Sequence, residues 1–175
     1  FRDPKILRPY FAGLRSVSGF QVTRHHPPRP GVDAVDHDTM HPGLWLGLGD
    51  FTGSDFWRNR GEWRHVKFAE EPRVENGEIR FATISEMRNE QGKVLGSLMT
   101  RIRVLSRSGQ RMIVWTAEFS SEGRELVFGD QEEMGFGARV ATPLTEKSGG
   151  RIVSSAGRSG AAATARSQKR PSGRR

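Results

Sequence analysis

Residues Lys93–Phe119 read KVLGSLMTRIRVLSRSGQRMIVWTAEF, two apolar-rich runs over 93–105 and 110–119 joined by Ser106-Arg107-Ser108-Gly109. A four-residue connector of small and polar residues ending in glycine suits a hairpin turn, so the stretch predicts two neighbouring antiparallel strands. Upstream, Ile79–Ile84 (IRFATI) alternates with strand period: Ile79, Phe81 and Thr83 face one way and Arg80, Ala82 and Ile84 the other. His65–Phe68 (HVKF) predicts a further strand, followed by a charged turn at Glu70-Glu71-Pro72-Arg73. Downstream, Ser120–Gly123 reads as a turn, Leu126–Phe128 as a short strand, Gly129–Gly135 as a polar link and Phe136–Ala141 as a last strand.

Towards the N-terminus, Gly43–Gly49 (GLWLGLG) alternates Leu44, Leu46 and Leu48 against Trp45 and Gly47, which predicts a strand with a shallow shelf beside the tryptophan. Phe1–Phe20 reads as a hairpin or a pair of edge strands broken at Pro9, and Gln21-Val22-Thr23 extends a strand after Gly19. Arg24–Gly31 (RHHPPRPG) is too proline-rich for helix or central strand and reads as an extended connection. Helical period is confined to a single turn at Glu86–Glu90. Many short strands between turns predict an all-β fold, an antiparallel β-sandwich.

The 175 residues suffice for one domain with a core, although only 34% are hydrophobic. The formal charge of +8 is unevenly spread: all 20 acidic residues and 21 of the 28 basic ones lie within 1–147, and 148–175 carries only basic charge. The expected organisation is therefore one β-rich domain over 1–147 and a disordered basic tail over 148–175. That tail lacks interleaved aromatics for base stacking, so no specific nucleic acid is expected as a partner. No stretch approaches the roughly 20 apolar residues of a membrane helix, so no membrane span is expected. With no cysteine, thiolate chemistry and Cys-ligated metals are absent. No signal peptide is visible after Phe1, and localisation stays open. Phosphate-loop, dinucleotide, zincin and hydrolase-elbow motifs are all missing.

Titratable and aromatic residues concentrate in Asp33–Trp57, DAVDHDTMHPGLWLGLGDFTGSDFW. His37 and His41 have the spacing of one helical face, but Pro42 pushes His41 towards extended geometry, which argues against a shared turn. Flanked by Asp36 and Asp38, His37 is suited to moving a proton near neutral pH. Alternatively, His37 and His41 with Asp33, Asp36, Asp38 or Asp50 could hold a divalent transition metal. Arg8 and Arg58 offer planar donor forks to an anionic or polyhydroxyl ligand, and Trp45 and Trp57 offer stacking faces. Asp50–Gly61 reads as a loop with Phe56-Trp57 folding back as an apolar anchor.

Several blocks carry a family resemblance: Arg8-Pro9-Tyr10-Phe11, Thr23-Arg24-His25-His26-Pro27-Pro28, Asp36-His37, His41-Pro42-Gly43-Leu44-Trp45 and Asp55-Phe56-Trp57-Arg58-Asn59. With Phe128-Gly129-Asp130, Glu133–Gly137, Arg139–Leu144 and Gly150-Arg151-Ile152, they make residues 8–155 resemble a bacterial family of unknown function often labelled "methane oxygenase PmoA". The membrane subunit that bears this abbreviation is rich in transmembrane helices, which this chain lacks. The resemblance implies a β-sandwich similar to the mutarotase supersandwich, encoded near sugar-modifying proteins. It implies a cleft lined by Arg8, Tyr10, Arg24, His25, Asp36, His37, His41, Trp45, Asp55, Trp57, Arg58 and Asn59. The roles assigned there are His37 as general base or acid, His41 as its partner, Asp36 as orienter, Arg58 as clamp and a tryptophan as platform. Relatives continue beyond this length, so the fold is expected to be incomplete at its C-terminus, with the tail arising from a frameshift or a wrong gene end.

The leading expectation is carbohydrate-related binding or processing by acid/base chemistry, with a carbohydrate or other polyhydroxyl molecule as partner. A non-catalytic carbohydrate-binding module and a metal-dependent oxygenase are the alternatives. Cofactor, metal and oligomeric state are left open.

Overall fold

A computed structural model of the chain describes residues 3–160. They form two antiparallel sheets facing each other, an all-β sandwich. Strands are Tyr10–Phe11 (β1), Leu44–Leu48 (β2), Glu62–Glu75 (β3), Glu78–Arg88 (β4), Val94–Arg107 (β5), Gln110–Ser120 (β6) and Met134–Ala138 (β7). The large sheet is the meander β3-β4-β5-β6, and the small sheet runs β1-β2-β7 with β2 in its centre.

The hairpin over 93–119 is present as β5 and β6, in register from Ser97↔Ser120 to Arg107↔Gln110. Its turn narrows to Ser108-Gly109, both at positive φ (50° and 74°), the backbone of the two-residue turn that matches strand twist. The preceding hairpin turns at Asn76-Gly77 in the same way (51° and 74°). The charged turn expected at Glu70–Arg73 is therefore a correction: β3 continues through it with register shifts after Phe68 and Glu70. Pro72 is tolerated because β3 is an edge strand, where a missing ladder donor faces outward. The turn expected at Glu86–Glu90 is likewise strand to Arg88, then a loop closed by Asn89 Oδ1, which accepts from Gln91 and Lys93 N–H.

Residues paired across strands share a face. One face of the large sheet joins Phe81 to Ile102, Thr83 to Thr100, Ser85 to Leu98 and Leu98 to Phe119, and it packs inward. The other face carries Arg80, Arg101 and Arg103 in ion pairs with Glu78 and Glu118. Leu46 and Leu48 of β2 meet Trp63, Met87, Leu95 and Leu98 in the core, together with Phe51 and Phe56, which are fully buried.

The N-terminal stretch differs from the expected hairpin or pair of edge strands. Ile6 is buried without being in a strand, and only Tyr10-Phe11 pairs with β2. After Gly19 the chain makes isolated bridges, Arg15 with Gln21 and Thr23 with Val140. Leu126–Phe128 contributes one bridge, Phe51 with Phe128. Residues Thr142–Leu144 and Glu146–Ser148 form 3-10 turns, and Val153 bridges Ser159; the remainder of the expected tail, 161–175, lies outside the described residues. Among the described residues no helix is long and apolar enough to cross a membrane.

Candidate functional site

The outward face of the small sheet is built by two glycines. Trp45 pairs with Tyr10 on one side and Gly137 on the other. A Cβ at Gly137 would lie 2.2 Å from Trp45 Cζ2, so only glycine lets the indole lie across β7. One step along β2, a Cβ at Gly47 would lie 2.9 Å from Trp57 Cε3. The shelf expected beside Trp45 exists, and Trp57 fills it. Its edge meets Trp45 at 5.5 Å between ring centroids.

The His41 imidazole stacks on Trp45 at 5.1 Å and 12°, and the His37 ring stands 5.1 Å from that of His41. His41 N–H donates to the His37 carbonyl at 2.8 Å, so the two histidines do share one turn. The expectation drawn from Pro42 is corrected here for a simple reason. Proline constrains the ψ of His41, whereas this bond needs only residues 38–40 to turn and His41 to offer its N–H.

Two buried arginines hold the surrounding loops. Arg24, 2% exposed, donates to the carbonyls of Ala34 (2.7 Å), Asp36 (2.8 Å) and His41 (3.0 Å). Arg8, 3% exposed, donates to the Met40 and Trp57 carbonyls and to Asn59 Oδ1 at 2.7 Å. Asn59 in turn donates to the Thr39 carbonyl and accepts from Leu7 N–H. Burial pushes the Arg8 pKa down to about 10. Arg8, Arg24 and Asn59 thus direct their side-chain groups to the histidine loop and to the 56–59 turn.

The exposed rim is ionic. Asp36 Oδ2 lies 3.0 Å from His37 Nδ1, and its Oδ1 accepts from Arg139 at 2.6 Å. These contacts, the His37 hydrogen bond foremost, hold the Asp36 carboxyl below its ordinary range. With Nδ1 turned to the carboxylate as donor, the His37 lone pair sits on Nε2. The His41 pKa is lowered as well, to about 4, by burial, then by the Arg139 charge, the neighbouring His37 ring and the Arg24 charge. Arg58 is bound to Asp55 at 3.0 Å and Glu133 at 2.6 Å. Asp55 also accepts from the N–H groups of Trp57 and Arg58, fixing the turn that carries the indole.

Of the other expected residues, His25 turns to Asp33, with Nδ1 2.8 Å from Oδ2. Tyr10 packs its ring edge on His26, and burial raises its pKa to about 12. Arg139 and Glu133 were missed as site residues, although both fall in blocks that carry the resemblance. Alternation in FGARVA would have put Arg139 on the same face as Gly137; what was lacking was the pairing of β7 with β2. Among the described residues no group of three or more His, Asp or Glu side chains is disposed to hold a metal, so the donor set does not fit the metal reading.

Residues 2–172 match the sequence model of DUF6807, a family of unknown function. No curated protein and no solved structure matches the chain.

Proposed function

The chain belongs to DUF6807, a family of unknown function, and we propose that within it this chain binds and processes a carbohydrate or related polyhydroxyl molecule by proton transfer at the Asp36–His37 pair. The observation that supports the reading most is the junction of that pair with the Trp57–His41–Trp45 ring cluster. Sugars pack C–H faces on aromatic rings and present hydroxyl pairs to planar charged groups, and this face offers both.

In this reading His37 Nε2 takes or delivers the proton. Asp36 fixes the tautomer through Nδ1 and is itself held by Arg139. His41, neutral at pH 7, serves as a packing and hydrogen-bonding partner rather than a second acid. Trp57 supplies the platform, and Arg58 with Glu133 forms the far rim. The oxygenase sense of the "methane oxygenase PmoA" label gains no support from the donor set among the described residues.

The test is solvent exchange. Glucose, fructose and a keto-glycoside are incubated with the protein in D2O, and loss of C–H signal beside the carbonyl is followed by NMR. Exchange accelerated by the native protein and abolished by His37→Ala, with binding retained, supports the reading. Binding without exchange would replace it with a non-catalytic carbohydrate-binding module, and absence of both would remove carbohydrates from consideration.

A further inference from the structure

A cleft of about 860 Å³ lies between the N-terminal segment and the first strands of the large sheet. The segment is fastened there by Trp63 N–H donating to the Leu7 carbonyl at 2.7 Å. Tyr10, Trp63, Thr83, Ser85, Asp3 and Glu62 are among its walls. The volume falls within the range of roughly 300–1,000 Å³ typical of small-molecule sites.

Three wall residues carry buried donors with no hydrogen-bond partner among the described residues: the Arg8 Nε–H, the Tyr10 hydroxyl and the Trp63 indole N–H. More than about 90% of buried polar groups in folded proteins are paired, so three orphaned donors on the residues of one cleft call for an acceptor from outside the chain. Ser85, 6% exposed, adds a further buried polar side chain to the same walls. The charges around the cleft offset each other, Arg8 and Arg64 against Asp3 and Glu62. Arg8 moreover spends its Nη donors on Met40, Trp57 and Asn59 and leaves its Nε–H unpaired among the described residues, a single N–H rather than the paired fork that holds an anion.

We propose that this cleft is a second binding site, one that takes a neutral polyhydroxyl molecule. The Tyr10 hydroxyl and Trp63 indole N–H donate to ligand oxygens, and the Glu62 carboxylate accepts from ligand hydroxyls. The inference is independent of the function proposed for the histidine face, since Tyr10, Trp63 and Glu62 take no part in that proton transfer.

The indole N–H resonances of the four tryptophans are followed by NMR while the protein is titrated with glucose, galactose and cellobiose. The Trp63 signal, assigned by its absence in Trp63→Phe, is expected to move saturably with at least one sugar. Tyr10→Phe, which removes a hydroxyl without a partner among the described residues, is expected to weaken that titration about tenfold, the value of one hydrogen bond. Glu62→Ala is expected to weaken it as well, and Trp57→Ala to leave it unchanged. A Trp63 signal that stays still with all three sugars overturns the proposal. So does a titration unaffected by both Tyr10→Phe and Glu62→Ala, or one that disappears with Trp57→Ala.

Discussion

The imidazole of His41 lies stacked on the indole of Trp45, ring centroids 5.1 Å apart and planes 12° from parallel. Stacking removes the imidazole from water, and Arg139 and Arg24 surround it with positive charge, so protonation is disfavoured. The native pKa is lowered from 6.5 to about 4. Between those values the unfolded chain holds a proton that the native chain does not. The stabilising contribution is therefore whole above about pH 6.5 and is lost as pH falls towards 4. Urea midpoints of the native protein are expected to fall more steeply across that window than those of His41→Gln. An NMR titration of His41 with a midpoint near 6.5 would contradict the assignment.

Arg24 joins Ala34, Asp36 and His41 through three carbonyls while almost wholly buried. Replacing it with methionine keeps the stem and strands those carbonyls, an expected cost of about 3–5 kcal/mol by urea denaturation. Arg24→Lys is expected to recover only part of this, because an ammonium cannot reproduce the planar fork.

The two glycines under the indoles provide a graded pair. Gly137→Ala puts a methyl 2.2 Å from a rigid ring atom of Trp45, and Gly47→Ala puts one 2.9 Å from Trp57. Overpacking of this kind costs about 1–3 kcal/mol. Gly137→Ala is expected to be the more destabilising by thermal unfolding and to change tryptophan fluorescence, because it displaces Trp45 and its stacked histidine.

On the charged face of the large sheet, hydrogen bonds from Arg103 and then Arg80 lower the Glu78 pKa to about 2 from 4.5. A depressed carboxylate stabilises the fold above its unfolded pKa and ceases to do so as pH falls through the native one. Acid unfolding curves of Glu78→Gln are therefore expected to be flatter than native between about pH 4.5 and 2. Coincident curves would show that the ion pairs contribute nothing.

The strands of the large sheet were legible because alternation and turn chemistry are local. Lys93–Phe119 contains both of its strands and the turn between them. β3 was less legible, since Pro72 amid charged residues looks like a turn, and only its place at the sheet edge makes it strand. The true turn signal, Asn76-Gly77, stood a few residues further on. The small sheet was partly hidden because β2 pairs with a strand near the far end of the chain. At the candidate site, residue type suggested arginine clamps, yet type cannot distinguish a guanidinium offered to a ligand from one spent on backbone carbonyls. Burial makes that distinction for Arg8 and Arg24. Asp36 beside His37 was readable as an orienting pair, whereas Arg139, which holds Asp36, depended on long-range register.

The measurement that bears most directly on the proposed function is a sugar titration read at the histidine face. The Trp57 indole N–H and the His37 ring signals are followed with glucose, fructose and a keto-glycoside, in the native protein and in Trp57→Ala. Saturable shifts of both residues with at least one sugar, and loss of the His37 shift in Trp57→Ala, are expected. Stationary signals at His37 and Trp57 with every sugar, including any that moves Trp63, would contradict the assignment of this face to carbohydrate.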